Sequence, residues 1–322
     1  MFKKYKETIK HLEHDSLRTA SKLELFFDLV YVGLIKDLSH FFLHDVTFTK
    51  FIWFILLFSG LWLNWLSMTY YHNRFGIAHI KNYTLTFINM LAILGVGRFE
   101  YAFKNQNLIA IILSLLAAKI SLLILWRQAA KDNAIHKRYL HHTLVMQDVI
   151  IVLIFISLFL EFSLAALLLS LILIIDFVNP LLTLEEYKKL PLIDEEHMNE
   201  RFSLLMIIIF GEGIISLLNY LVKLKTMNSS TLFFTFLILF SIFILWLSIE
   251  KFVYEKSFSL KPLFTWIWWM IQLPLMISIV LFEKIIVELF EHHSIINYAH
   301  LGIMLGIIIT LVVIENKIGD ID

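Results

Sequence analysis

Long apolar runs alternate with short polar intervals along almost the whole chain. Each run is about 20 residues long, the length that an α-helix needs to cross about 30 Å of hydrocarbon. The runs lie near residues 23–43, 50–71, 81–101, 107–126, 138–160, 162–182, 201–222, 231–253, 262–285 and 296–314. The strict alternation of a membrane β-barrel is absent. The pattern therefore predicts an all-α, polytopic transmembrane helical bundle of about ten spans.

Composition agrees with a membrane protein. Of the 322 residues, 59% are hydrophobic and 17% are charged, and the mean hydropathy is +0.78. Soluble domains usually have about a quarter of their residues charged. The net charge of zero provides no basic surface for nucleic acid. The chain has no cysteine, which excludes disulfides, thiolate catalysis and Cys-ligated metal sites.

The distribution of Lys and Arg predicts the orientation of the bundle, because positively charged loops stay in the cytoplasm. Nineteen of the 27 fall in intervals on the same side as the N-terminus, six fall in the opposite intervals, and Lys36 and Lys119 lie within spans. Both termini are therefore predicted to be cytoplasmic. Residues 1–22 are predicted to form a basic cytoplasmic segment without a removable signal peptide, residues 183–201 to form a cytoplasmic link between spans 6 and 7, and residues 1–322 to form a single membrane domain.

Several spans carry ionisable residues, which are costly in lipid and usually face the bundle interior. In the first span, polar groups cover about half of the helix circumference at roughly 100° per residue. We expect this helix to be surrounded by others or to line a wet cavity. Lys36, Lys119, Asp148 and Glu212 lie near mid-depth of their spans and form the centre of a predicted polar core or transport path. The full predicted set is Glu24, Asp28, Lys36, Lys119, Asp148, Arg201 and Glu212. The alternative is that these charged residues only fix how the helices pack.

Glu212 is distinctive because it lies between Gly211 and Gly213. Two glycines around a carboxylate allow either a close helix approach or a local break in the helix. In both cases the carboxylate would be poorly hydrated, as a proton-coupled carrier requires. The alternative is a packing seam with a protonated Glu212.

Other polar residues in the spans support weaker hypotheses. Asp37, His40 and His44 share one arc of the first span at a spacing that could hold a divalent metal. Asp176 and Asn179, together with Gln272, are predicted to act as interhelical hydrogen-bonding groups. Familiar catalytic motifs such as HExxH, GxSxG and GxGxxG are absent from the chain. No cofactor is expected, and familiar catalysis is disfavoured.

The first span, Leu23 to Val32 with the sequence LELFFDLVYV, resembles the signature of the bacterial low temperature requirement protein A family. Leu38-Ser39-His40 resembles the end of that family's first helix. Tyr70, Arg74 and Phe75, and the motifs Glu200-Arg201-Phe202 and Gly211-Glu212, resemble further family motifs. The resemblance implies a multi-pass protein of the bacterial plasma membrane, named for a cold-growth phenotype and without an agreed activity.

We therefore predict a membrane transporter or permease, with proton coupling as one form that the acids would support. Phe26, Asp28, Val30 and Tyr31 also resemble the first helix of an unconventional family of potassium channels, so a cation channel is one alternative. An intramembrane enzyme and a membrane-organising protein are the others. The expected partners are the lipid bilayer and an unknown small molecule or ion. Nucleic acid is not expected, and a homo-oligomer is left open.

Overall fold

The computed structural model describes residues 20–44, 47–76, 80–132, 134–187, 189–191, 193–223, 228–254, 262–292 and 295–319, and these residues form no β-strand. The longer helices are α1 (Lys22–His44), α2 (Phe48–Phe75), α3 (Ile80–Leu94), α5 (Ile109–Asp132), α7 (His141–Ser157), α8 (Phe162–Leu182), α10 (Glu195–Lys223), α11 (Ser229–Ile249), α12 (Pro262–His292) and α13 (Ile295–Gly319). Short helices α4 (Phe99–Lys104), α6 (Ala134–Tyr139) and α9 (Leu184–Tyr187) complete the described structure. The predicted segment 1–22 lies almost entirely outside the described residues.

Six of these helices are long and apolar enough to cross a membrane. They are α2, α5, α8, α10, α11 with the π-helical turn that follows it, and α12. The other four do not meet these criteria: α1 carries several charges, α7 has 17 residues, α3 has 15, and the apolar part of α13 among the described residues is the short stretch Met304–Glu315. The all-helical membrane class is confirmed, while the number of ten spans and the cytoplasmic termini stay predictions.

The third predicted span is interrupted. A 3₁₀ segment, Gly95–Arg98, joins α3 to the short α4. A Cβ at Gly95 would lie 2.0 Å from Ser114 Oγ on α5. The interruption therefore occurs where the backbone of the third span approaches α5 too closely for a larger residue.

The helices form two groups that are joined by α1 and α2. Helices α3, α5, α7 and α8 pack together on one side, and α10, α11, α12 and α13 pack together on the other. Helix α2 contacts α5 and α8 as well as α10 and α12, and α1 contacts both groups through α3 and α10. Trp65 and Met68 of α2 are fully buried. Helix α2 is therefore the central packing element of the bundle.

The two ends of the bundle are distinguished by the link between α8 and α10. We call the end that carries residues 183–194 the linker end; α2, α5 and α8 end there, and α1, α7, α10 and α12 begin there. The charge count predicts that this end is cytoplasmic. We call the other end the opposite end. Helix α11 exposes a row of phenylalanines, including Phe233, Phe236 and Phe240, as expected of a helix that faces lipid.

Helix α10 continues without a break through Gly211 and Gly213. A Cβ at Gly213 would lie 2.5 Å from the carboxyl carbon of Glu283 on α12, whereas a Cβ at Gly211 would meet nothing within 4 Å. Of the two predicted consequences of the glycines, the close approach is thus the one observed, at Gly213. The space that Gly213 leaves is filled by the Glu283 carboxyl group.

We predict that Gly213→Ala destabilises the protein by about 1–3 kcal/mol, the usual cost of overpacking. Gly211→Ala is the matched control and should be neutral or stabilising by up to about 1 kcal/mol, because Ala favours a helix more than Gly does. Thermal unfolding of the purified proteins in detergent measures both. Adding Glu283→Ala to Gly213→Ala should cost less than the two single changes together. Equal unfolding midpoints for the two glycine variants would contradict the close contact.

Candidate functional site

A two-step ladder of buried charges joins α1 to α10. The two helices run in the same direction and place acids at Glu24 and Asp28 opposite bases at His197 and Arg201, each pair one helical turn apart. Arg201 Nη2 donates to Asp28 Oδ1 at 2.7 Å, and His197 Nε2 lies 3.3 Å from Glu24 Oε1. This ladder attaches α1 to the group of helices that contains α10.

Helix α2 holds the ladder in place from the third side. Trp65 Nε1 donates to Asp28 Oδ1 at 2.7 Å, and Asn73 Nδ2 lies 2.9 Å from His197 Nδ1. Asn73 also donates to the backbone carbonyl of Asp194, whose side chain accepts from His197 N at 3.0 Å and so caps the start of α10. The end of α2 therefore fixes where α10 begins.

The ladder is enclosed by protein. Arg201 is 0% exposed, and Glu24 and Asp28 are 1% exposed. The void lined by Tyr31 and Trp65 has a volume of about 10 Å³, at the lower limit for one water molecule. Neither of the two larger cavities described below is lined by Asp28 or Arg201. The predicted burial of these residues is observed, but they join two helices and do not line a cavity.

A second buried ion pair lies within the first helix group. Lys119 Nζ on α5 donates to Asp176 Oδ2 on α8, and both side chains are almost completely buried. Gln147 Nε2 on α7 donates to the other carboxylate oxygen, Oδ1, at 3.3 Å. Three helices therefore converge on the Asp176 carboxylate. The sequence placed Lys119 in the predicted polar core or transport path and predicted Asp176 only as a hydrogen-bonding group.

Two cavities meet at this pair. The linker-end cavity, of about 210 Å³, and the opposite-end cavity, of about 80 Å³, are both lined by Asp176, and the opposite-end cavity is also lined by Lys119. Three helices line both cavities, with one segment at each. The linker-end cavity is lined by residues 63–74 of α2, 122–126 of α5 and 176–180 of α8. The opposite-end cavity is lined by residues 53–61, 111–119 and 166–176 of the same three helices. The cavities are thus stacked along the bundle, with the Lys119–Asp176 pair where they adjoin.

The predicted grouping of Lys36, Lys119, Asp148 and Glu212 is wrong for Asp148. Arg127 Nη2 donates to Asp148 Oδ1 at 2.6 Å, and the two side chains are 51% and 45% exposed. The physical reason is helical geometry, because adjacent residues point about 100° apart. Gln147 faces the bundle interior and Asp148 faces outward. The position of Asp148 along its span indicated its depth in the membrane but not the face of the helix on which it lies.

The remaining predicted core residues lie apart from the Lys119–Asp176 pair. Lys36 is half-buried on α1. Glu212 is buried on α10, accepts a hydrogen bond from Ser216 Oγ at 3.3 Å, and lies beside the Glu283 contact at Gly213. The charges therefore form separate groups: the α1–α10 ladder, the Lys119–Asp176 pair, the Arg127–Asp148 pair and the acids of α10 and α12.

The first span is not surrounded as predicted. Glu24, Asp28 and Ser39 lie on its buried face, whereas Asp37 and His40 are exposed on another face together with Phe26 and Leu29. Asp37 and His40 lie in the last turns of α1, where polar side chains can reach the membrane interface. Asp37 and His40 therefore do not face the interior. The side chain of His44 lies outside those described, and no metal-holding group of three His, Cys, Asp or Glu occurs among the rest.

Two signals in the sequence could have identified Asp176. It is an acid in an otherwise strongly apolar span, and Lys119 on another span needed a counter-charge. Trp65 was not identified from the sequence, and its indole N–H donates to Asp28 in the interior. Composition alone does not separate a buried donor from an interfacial tryptophan.

The fold and these buried charges define a multi-pass helical membrane protein with two internal cavities separated by an ion pair. Residues 19–316 match the model of the bacterial low temperature requirement A protein family (LtrA), and the chain belongs to this family. No curated protein and no solved structure matches the chain. The motifs that carry the resemblance map onto two features: Glu24, Asp28 and Arg201 form the ladder, and Tyr70 and Arg74 line the linker-end cavity.

We predict that Arg201→Met lowers the free energy of unfolding by about 3–5 kcal/mol, because it leaves Asp28 buried without its cation. Arg127→Met is the matched control, since it removes an exposed ion pair worth at most about 1 kcal/mol. Thermal or denaturant unfolding in detergent compares them. Similar losses for the two variants would contradict the distinction between the ladder and the exposed pair.

Proposed function

We propose that this protein is a transporter or permease of the bacterial plasma membrane that moves a small molecule between α2, α5, α7 and α8. The two cavities form the two halves of the path, and the Lys119–Asp176 pair is the partition between them. In this proposal the linker end faces the cytoplasm, as the charge count predicts, and α1, α3, α7 and α13 complete a bundle of ten spans with the six helices already assigned.

One observation carries the proposal: Asp176 lines both cavities. A side chain that borders both cavities can respond to a solute in either one. The linker-end cavity contains polar groups from several helices, including Arg74, Thr143 and Gln147, whereas the opposite-end cavity is mostly apolar apart from Lys119, Asp176 and Ser170. Binding sites of this kind, with few polar groups in a largely apolar wall, commonly lie between the helices of a bundle.

The ion pair also provides a mechanism for coupling to protons. A buried pair is held by mutual attraction in a medium of low dielectric constant, and each charge is costly if it is left alone. In this proposal a proton taken up by Asp176 leaves Lys119 without its counter-charge, so Lys119 turns toward water in the opposite-end cavity that it lines and the partition loosens, while Gln147 can still bond to the neutral carboxyl group. Release of the proton on the other side restores the pair. Proton coupling therefore requires no group beyond those already in place.

The alternatives receive less support from the geometry. The channel resemblance depends on the first helix, yet Asp28 is enclosed between Arg201 and Trp65. An intramembrane enzyme would require His and carboxylate groups that converge at a cavity. His197 and Glu24 converge but line neither cavity, and His40 and His141 are both exposed, on α1 and α7. His40 lies near the opposite end of the bundle and His141 lies at the linker end, so the two histidines do not build one site.

We predict that Lys119→Met together with Asp176→Leu keeps the protein folded but abolishes transport. Replacing both members of a buried ion pair with apolar residues is often neutral or stabilising, so the double variant separates the role of the pair in transport from its role in folding. Proteoliposomes with an internal pH-sensitive dye and an imposed pH gradient are challenged with small neutral, anionic and cationic solutes. Solute-dependent proton movement should fall at least tenfold relative to the native protein.

The control is the double variant Arg127→Met with Asp148→Leu, which removes an exposed pair from α5 and α7 and should transport at the native rate. If no solute moves protons through the native protein, or if the variant without the Lys119–Asp176 pair transports as fast as the native protein, the proposed coupled transport is wrong.

A further inference from the structure

The linker-end cavity has aromatic walls. Tyr70 of α2, Trp126 of α5, and Trp266 and Trp269 of α12 all line it. Tyr70 meets Trp269 edge to face, with ring centroids 5.1 Å apart, and lies 6.0 Å from the Trp126 ring. Flat rings of this kind pack favourably against another flat, apolar or aromatic body.

The residues that line this cavity also carry buried polar atoms without hydrogen-bond partners in the described part of the chain. The indole N–H groups of Trp266 and Trp269 are buried donors that have no acceptor there, and Gln147 Oε1 and Asn179 Oδ1 are buried acceptors that have no donor there. All four residues line the cavity. Buried polar groups without partners are costly, so a molecule that offers both donors and acceptors is the complementary occupant.

The two charged residues that line this cavity within the described structure already have partners. Arg74 Nη1 donates to the carbonyl of Pro191 at 2.6 Å, and its guanidinium lies 4.6 Å from the centre of the Tyr70 ring. Asp176 accepts from Lys119 and Gln147. A charged ligand would have to compete with these contacts to reach a counter-charge, and it would lose its hydration. The side chains of Trp266, Trp269, Gln147 and Asn179 are uncharged, which favours a neutral ligand.

The size of the cavity limits the ligand further. A closed apolar cavity of about 150 Å³ holds one benzene molecule. At about 210 Å³, the linker-end cavity has room for a single ring with a polar substituent or for a small two-ring heterocycle. Larger amphiphiles and lipids do not fit within this volume.

We infer that the linker-end cavity binds a small, flat, uncharged aromatic or heteroaromatic molecule whose edge carries both a hydrogen-bond donor and an acceptor, as a primary amide or a nucleobase does. The ring stacks among Tyr70, Trp126 and Trp269, and the polar edge bonds to the indole N–H groups and the amide oxygens of Gln147 and Asn179. This inference rests on the proposed function in taking the cavity as the binding half of the transport path.

Three probes of nearly equal size and shape test whether the ligand must be uncharged and must carry both a hydrogen-bond donor and an acceptor. Benzamide is neutral with a donor and an acceptor, benzoate is an anion, and benzamidinium is a cation. Binding to the full-length protein in detergent or nanodiscs is measured by titration calorimetry. We expect benzamide to bind at least tenfold more tightly than either ion. Tighter binding of benzoate or benzamidinium would overturn the inference, and binding of none of the three would mean that water alone satisfies the cavity.

Variants of tryptophan locate the binding. Trp269→Phe keeps an aromatic ring and removes the N–H donor, and should weaken benzamide binding about tenfold, the value of one hydrogen bond. Trp246→Phe is the matched control, because Trp246 on α11 also has a buried indole N–H without a partner in the described structure but does not line the cavity. It should bind benzamide as the native protein does. Equal affinities for the Trp269 and Trp246 variants would contradict binding at this cavity.

Failure of the inference and failure of the transport proposal give different results. If benzamide binds in the calorimeter but no solute moves protons through proteoliposomes, the ligand class holds and the transport proposal fails. If solutes are transported but charged ones are preferred in both assays, the transport proposal holds and the ligand class is wrong.

Discussion

The ion pair between Lys119 and Asp176 is the interaction on which the functional part of the structure depends. Neither charge can be left alone in the interior of a helical membrane protein, so α5 and α8 must approach each other at this level. Gln147 adds α7 to the same point. Because the cavities extend from this pair in both directions along the same helices, the pair is both a structural contact and the partition of the proposed path.

The α1–α10 ladder has a different role. It joins α1 to α10 near the linker end, it is enclosed, and α2 supports it through Trp65 and Asn73. Glu24, Asp28 and Arg201 lie in the motifs that resemble the family and build the joint between α1 and α10, while Tyr70 and Arg74 line the linker-end cavity. A buried joint of charges fixes one register between two parallel helices, since a shift of one turn would leave an acid opposite no base.

Much of the fold could be predicted from hydropathy alone. Span 6 was predicted at 162–182 and the helix is Phe162–Leu182, because an abrupt polar boundary marks each end. The interruption of the third span at Gly95 was not predicted, because it depends on the approach of α5 and not on local sequence. The candidate site was predicted less well. The sequence identified Lys119 as a buried charge, but hydropathy does not report which face of a helix meets which neighbour. Asp148 and Gln147 are adjacent, and only the packing of α7 decides that Gln147 reaches the Asp176 carboxylate.

The absence of cysteine from the chain permits a direct measurement of the path, because a single introduced cysteine is then the one thiol present. Ser67 lines the linker-end cavity, Ser170 lines the opposite-end cavity, and Ser157 is fully buried and lines neither. Each is replaced by cysteine, and a membrane-impermeant thiol reagent is added to one side of oriented vesicles at a time. Two cavities divided by the Lys119–Asp176 pair predict that Ser67→Cys reacts from the linker side, Ser170→Cys from the other side, and Ser157→Cys from neither. Reaction of the cysteines at 67 and 170 from the same side, or of neither from any side, would contradict a path that is divided at the ion pair.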